Sequence, residues 1–258
     1  MLILLSPAKS FVDPSNILPV NSSPEFSVPS FLDESKKLVD QLKKLSVKEL
    51  EKLMKISPKL AELNLQRFQD FQLPFNEKNS NPALFLFDGD VYQAMEIKGY
   101  NKKDLEFCQK HLLILSGLYG ILKPLDLMQK YRLEMGLDVR KIFGWNLASF
   151  WQKNIANFLN EQLANEQEKV IINLASNEYF SAVNLPDIDG RIINIVFKEK
   201  RGQEYKTIGL MAKKARGLMA DFIIKNKIKK AEEIKIFDCN NYQYQQDFSD
   251  QNNWHFYK

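Results

Sequence analysis

The residues equipped for chemistry sit in short groups along the 258-residue chain, and most of them follow apolar runs. Ser6-Pro7-Ala8-Lys9 comes directly after the run Met1–Leu5. In an α/β sheet the loops at strand ends line the ligand crevice, so Lys9 is placed to meet a phosphate or a carboxylate, with Ser6 beside it. No glycine loop of the Walker type accompanies it, and an exposed lysine in an ordinary loop explains it as well. Asp88, Asp90 and Tyr92 follow a second apolar run, Ala83–Phe87. Ser116 and Tyr119 follow Leu112–Leu115, and Asn173, Ser176 and Glu178 end Val170–Leu174. If one sheet gathers these ends, they form a polar cleft able to hold an acid/base pair. The competing reading is that they cap helices and satisfy loop amides.

Two further groups carry cations. Lys123 to Gly136 mixes bases, acids and apolar residues; within it Arg132 and Glu134 can pair. The chain has six arginines against thirty lysines, so each planar, phosphate-matching guanidinium draws attention. Lys213, Lys214 and Arg216 are expected to open a helix, where bases oppose the dipole at a cost of about 0.3–1 kcal/mol. That cost is tolerable if the bases face an anion, and disappears if the helix starts earlier. The two cysteines and two histidines do not make a metal centre: a structural zinc needs four ligands, usually in two close pairs, and only Cys108 and His111 are neighbours. No Ser-His-Asp or Cys-His arrangement is legible, with His255 near the terminus and His111 expected to begin an apolar strand. No metal and no cofactor are expected.

Residues 45–68, LSVKELEKLMKISPKLAELNLQRF, read as two short helices around a hairpin. Ser46 and Glu49 have capping-box spacing, Leu50, Leu53 and Met54 face inward, and Ser57-Pro58 has the signature of a new N-cap followed by proline at the first helical position. The pattern is that of a helix–hairpin–helix DNA-binding element, in which backbone amides at the start of the second helix hold a phosphate without reading bases. Lys55, Ile56, Ser57 and Lys59 form the hairpin. Lys55 and Ser57 stand where such elements usually have glycines, which let the backbone approach closely; a plain helical hairpin packed on the core is the alternative.

The elements that must position these groups are a mixture. Met1–Leu5, Ala83–Phe87, Leu112–Leu115 and Val170–Leu174 read as buried strands, 191–197 and 205–210 as a hairpin, and 234–238 and 254–257 as late strands. Leu38, Leu42 and Leu45 recur at helix spacing, and 58–71, 147–164 and 213–226 read as helices. Residues 11–30, with four prolines, read as a long surface loop. The expected fold is a single α/β (mixed α+β) domain over residues 1–258, with a mixed sheet, flanking helices and the hairpin element at 45–68. Hydrophobic residues at 45% and charged ones at 26% are ordinary for a globular protein and exclude collagen-like, disulfide-scaffold and wholly disordered classes. The formal charge is +4, but Arg191 to Lys235 carries thirteen Lys/Arg against five Asp/Glu, a local excess that reads either as a solvated face or as a polyanion footprint. Neither a signal peptide nor a membrane span is visible, and two thiols 131 positions apart read as reduced, so a cytoplasmic protein with no membrane partner is expected.

Five blocks, MLILLSPAKS, GDVYQAM, LSGLYGILKPLDLMQKYRLEMG, NLASNEYF and AKKARGLMADFII, stand in the order and spacing of the YaaA family of bacterial peroxide-stress proteins, and the resemblance covers nearly the whole chain. It implies a cytoplasmic protein that supports survival of hydrogen peroxide by limiting free iron and so iron-driven damage to DNA. It also implies a single α/β domain with a basic cleft, a helix–hairpin–helix-like element over 50–64, and binding to double-stranded or distorted DNA. Ser6, Lys9, Lys123, Arg132, Lys213, Lys214 and Arg216 are the basic or polar positions of the matching blocks. Two functions follow. The first is a non-enzymatic, sequence-independent DNA-binding protein that grips phosphates at the hairpin and along the cleft. The second is an enzyme acting on a small anionic ligand or a nucleic-acid end. In the latter, Lys9, Arg132 and Lys213 hold the anion, while Asp90, Tyr92 or Glu178 move protons.

Overall fold

The computed structural model describes residues 1–13 and 25–258, so most of the expected proline-rich loop lies outside the described residues. The strands are β1 (Leu2–Leu5), β2 (Ser10–Phe11), β3 (Asn81–Pro82), β4 (Phe87–Asp88), β5 (Leu112–Ser116), β6 (Gly120–Leu122), β7 (Leu127–Met128), β8 (Val170–Asn173), β9 (Arg191–Arg201), β10 (Glu204–Lys206), β11 (Gln243–Tyr244) and β12 (Asn253–Tyr257). The helices are α1 (Leu32–Leu42), α2 (Val47–Met54), α3 (Pro58–Gln69), α4 (Ala83–Leu86), α5 (Asp90–Gln93), α6 (Lys102–His111), α7 (Arg140–Phe143), α8 (Leu147–Ala164), α9 (Asn177–Phe180) and α10 (Gly209–Lys225).

The main sheet runs β11-β12-β9-β8-β1-β5-β6, with β10 hairpinned onto β9. β5, β1, β8, β9 and β12 are mutually parallel along this path, and β6 and β11 close its edges antiparallel. Every residue of β1, β5 and β8 is buried, the pattern of strands covered on both faces. β9 instead alternates buried with half-buried positions along its centre. Topology follows from this order. The chain leaves β1 toward β5 on one side, then returns beyond β1 to lay down β8, β9 and β12 outward on the other. β1 and β8 are therefore adjacent strands whose onward connections diverge, and a crevice at their carboxyl ends is the usual ligand position in such sheets.

The expected mixed α/β fold holds, with several local corrections. Ala83–Phe87 is not a strand: Ala83–Leu86 turn as α4, and only Phe87–Asp88 pair, with β2. A short apolar run has no period by which strand and helix can be told apart. His111 does not begin a strand but ends α6, whose Asn101/Asp104 capping box starts it. Residues 234–238 are not a strand either; 231–236 form a 3-10 turn. The second arm of the 191–210 hairpin is only β10, and α10 begins at Gly209, so Lys213, Lys214 and Arg216 lie beyond its first turn rather than opening it. The dipole argument for those three bases lapses with that earlier start.

Candidate functional site

The carboxyl ends of β1, β5 and β8 do converge. Ser6 leaves β1 and meets Ser176 after β8: the Ser176 amide donates to Ser6 Oγ at 2.8 Å, and the two hydroxyls lie 3.2 Å apart. Tyr92, buried in α5, donates its hydroxyl to the Ser6 carbonyl at 2.9 Å. Asn173 shapes the loop after β8, accepting from the Ala175 amide at 2.9 Å and donating to Asn194 at 2.9 Å. Ser116, ending β5, is bonded to the Tyr131 hydroxyl at 2.6 Å and accepts the Tyr119 amide at 2.9 Å.

The chain from 129 to 134, outside any strand or helix, passes this end of the sheet. Tyr131 and Leu133 are buried while Lys130 and Arg132 are half-buried. Its path lies against β5: a Cβ on Gly117 would sit 2.1 Å from the Leu133 carbonyl oxygen, so only glycine admits this approach. The segment brings Glu134, 4% exposed, to the crevice, where one oxygen, Oε1, meets both Lys9 at 3.1 Å and Arg132 at 2.9 Å. Its other oxygen, Oε2, and Arg132 Nε are buried with no hydrogen-bond partner among the described residues. Glu178, in the first turn of α9, accepts the Gly136 amide at 3.2 Å.

Two walls complete the crevice. Arg67, near the end of α3, lies 5.5 Å from the centre of the Phe11 ring, which in turn packs 6.2 Å from Tyr131. Burial first, then the Arg132 charge, holds Arg67 below its ordinary value; burial and then the Arg67 charge do the same to Lys130, with Asp13 opposing. On the other side Tyr179 is 7% exposed, and burial, with Tyr131, Glu178, Glu134 and Tyr92 around it, pushes its phenol far up.

The structure thus gathers Ser6, Lys9, Tyr92, Arg132, Glu134, Asn173, Ser176 and Glu178 from the sequence-predicted set. Asp90 begins α5 beside them. It does not gather the rest. β6 runs antiparallel to β5 with Leu122 opposite Ile114, so Lys123 emerges toward the far end of the sheet, its ammonium 5.8 Å from the Phe158 ring centre. Lys213 and Lys214 are exposed on α10, with no hydrogen bond or ion pair to this group among the described residues. Arg216 is half-buried, burial lowers its pKa, and its Nε lacks a partner among the described residues. Arg67, Lys130 and Tyr179 belong to the site but not to the sequence-predicted set. Arg67 has one signal, being among the six arginines, but nothing local links α3 to residue 132.

The hairpin is a separate place. Ser46 and Glu49 form the capping box, Ser57 Oγ accepts the Leu60 amide at 3.4 Å, and Pro58 opens α3. Lys55 takes the left-handed backbone, φ 51°, that a glycine would occupy without cost. Lys55, Ser57 and Lys59 are exposed, while Ile56 packs on the core.

Among the described residues no three His, Cys, Asp or Glu side chains are grouped to hold a metal ion. No helix there is long and apolar enough to cross a membrane. Cys108 and Cys239 are unpaired thiols, both raised in pKa chiefly by burial.

Fold and site together define an α/β protein with a cation-rich crevice at the switch point of a mostly parallel sheet and a capped helical hairpin at its flank. The chain belongs to the family described as peroxide stress protein YaaA, whose model matches residues 1–248. It is similar to UPF0246 proteins: 45% identical over 253 residues to that of Francisella tularensis subsp. novicida, covering 98% of each chain. The identity is 46% over 253 residues with the Francisella philomiragia protein, again covering 98% of each chain. It is 45% over 256 residues with that of Colwellia psychrerythraea, covering 99% of this chain and 98% of the relative.

Proposed function

We propose that the protein is a cytoplasmic DNA-binding protein of the peroxide stress response that limits iron-driven damage to DNA by binding it without reading sequence. One observation carries the reading: the helical hairpin at 46–60. Its second helix starts at a capped Ser57-Pro58: Pro58 has no N–H and the Leu60 amide is taken by Ser57 Oγ, which leaves the Lys59 amide to meet a phosphate oxygen. Lys55 and Lys59 stand exposed on either side of that start and add two mobile charges. Lysines at such a place neutralise phosphates as point charges and carry no base information. Lys55 in the left-handed region supports the reading further, because the backbone keeps the glycine-like turn of the hairpin although glycine is missing.

The test is binding of nucleic-acid-free protein to duplex, bubble and single-stranded DNA over a salt series. Affinity should fall steeply with salt, at about −0.9 in log K per phosphate neutralised, and should not depend on sequence. No binding near physiological salt would overturn the proposal.

A further inference from the structure

The crevice between β1 and β8 is built differently from the hairpin and asks for a different ligand. One side of it is cationic: Arg67 from α3, and Lys130 and Arg132 from the segment 129–134. These charges come from separate parts of the chain: Arg67, which also donates to Asn64 Oδ1 at 3.2 Å, stands over the Phe11 ring, and that ring packs on Tyr131, which lies between Lys130 and Arg132 in the chain. In keeping with this, Arg132 opposes the protonation of Arg67, and Arg67 that of Lys130, where Asp13 favours it. Cations gathered against their mutual repulsion, with burial adding to the cost, are the arrangement by which proteins hold a phosphate. The other side is acceptor-rich. Glu134 directs one oxygen at both Lys9 and Arg132 and leaves the other, fully buried, without a donor; Glu178 lies alongside, bonded to Gly136. Tyr179 is more than nine-tenths buried, close to both carboxylates. Leaving a buried polar group unpaired is costly, so an orphaned oxygen such as Glu134 Oε2 marks a place that a ligand completes.

We propose that this crevice binds a phosphate monoester that carries its own hydroxyl or amino donors, as a mononucleotide does. Arg67, Lys130 and Arg132 receive the phosphate, and Glu134, Glu178 and the Tyr179 hydroxyl receive the donors. A bare phosphate satisfies only the cationic side, and a neutral nucleoside only the acceptor side. The site does not depend on the hairpin reading, since Lys55 and Lys59 take no part in it. The same phosphate monoester chemistry has two sources, a free mononucleotide or the phosphorylated end of a DNA strand.

The test uses the full chain with adenosine 5′-monophosphate, adenosine and inorganic phosphate, measured by calorimetry, and with nicked duplexes bearing a 5′-phosphate or a 5′-hydroxyl. Adenosine monophosphate should bind at least about tenfold more tightly than adenosine or phosphate, since the absence of even one charge-assisted hydrogen bond weakens binding by about that factor or more. Arg67→Gln and Lys130→Gln should each weaken it about tenfold or more. Joint Lys55→Gln and Lys59→Gln should leave it unchanged. A preference for the 5′-phosphorylated nick, abolished in Arg67→Gln, identifies the strand end as the source, and competition by adenosine monophosphate without such a preference identifies the free nucleotide. The proposal is overturned if neither the monophosphate nor the phosphorylated nick is preferred over its dephosphorylated counterpart. It is equally overturned if each of Arg67→Gln and Lys130→Gln that keeps the parent's melting temperature binds as the parent does. Lys130 is half-buried outside any helix or strand, so its variant keeps the test sound if Arg67→Gln fails to fold.

Discussion

Neutralising Lys55 and Lys59 together is the sharpest probe of the hairpin, because its effect has a predicted size. Both side chains are exposed, and neither is in an ion pair among the described residues, so removing their charge leaves no buried group unsatisfied. If each meets one phosphate, Lys55→Gln with Lys59→Gln lowers the slope of log K against log salt by about 1.8, at about 0.9 per phosphate. If parent and variant bind alike near ~1 M salt, that slope difference amounts to about 60-fold weaker binding at ~0.1 M. Fluorescence anisotropy of a labelled bubble duplex over that salt range reads both numbers. Lys48, exposed in the first turn of α2 and so at the far end of that helix, is the control: Lys48→Gln should keep the parent slope. A double variant with the parent's slope would show that the hairpin does not touch phosphate, whatever the absolute affinity.

Other outcomes follow from single positions. The left-handed backbone at Lys55 costs about 1–2 kcal/mol, and glycine there would relieve it while adding ~0.5–1 kcal/mol of entropy to the unfolded chain. Lys55→Gly should therefore stabilise by about 0.5–1 kcal/mol and raise the melting temperature by roughly 1–4 °C. Gly117→Ala sets a methyl 2.1 Å from the Leu133 carbonyl. It should destabilise by about 1–3 kcal/mol or more, read by urea unfolding, since backbone must shift. It should also weaken any anion binding in the crevice, because the same segment carries Arg132 and Glu134. His111, at the end of α6, places Nδ1 at 2.7 Å from Glu166 and 3.1 Å from the Met1 carbonyl, and burial holds its pKa below the ordinary value against the pull of Glu166. The unfolded chain then takes up this proton first as pH falls. The stabilisation is present above about pH 6.5 and declines below it, by up to ~1.4 kcal/mol per pH unit until the folded-state pKa is reached. Urea unfolding of the parent and of His111→Gln at neutral and mildly acid pH should show a steeper dependence in the parent, the variant keeping the share of His255, whose pKa burial also lowers.

How much a sequence discloses depends on how local each signal is. The hairpin is readable to the residue, because capping boxes and Ser-Pro starts are written in four consecutive positions. β1, β5 and β8 are readable as unbroken apolar runs, and their polar followers Ser6, Ser116, Asn173 and Ser176 are legible as strand-end groups. α4 is not, because four apolar residues carry no period, and α6 is hidden by its charged face and by the apolar strand that follows without a break. Lys123 is misplaced by a strand-end argument for a topological reason: β6 turns back antiparallel, which sends the next residue to the opposite end of the sheet. Arg67 escapes because its partners lie far away in the chain, and only packing of α3 over Phe11 joins them.

That packing also fixes how the two anion-seeking places relate. Lys59 and Arg67 lie on one helix, eight residues apart, which is about 12 Å along its axis. On a duplex strand that advances about 3.4 Å per nucleotide, this spans roughly three to four nucleotides. A strand held at the hairpin can thus present an end to the crevice only when the end lies within a few nucleotides of the grip. A free mononucleotide has no such constraint. The two sources therefore separate by linkage as well as by preference. Saturating adenosine monophosphate should leave affinity for an intact duplex unchanged and should weaken binding to a 5′-phosphorylated nick only when the nick falls within that reach of the hairpin. Equal competition at every nick position would place the phosphate contact elsewhere than on the Arg67 end of α3.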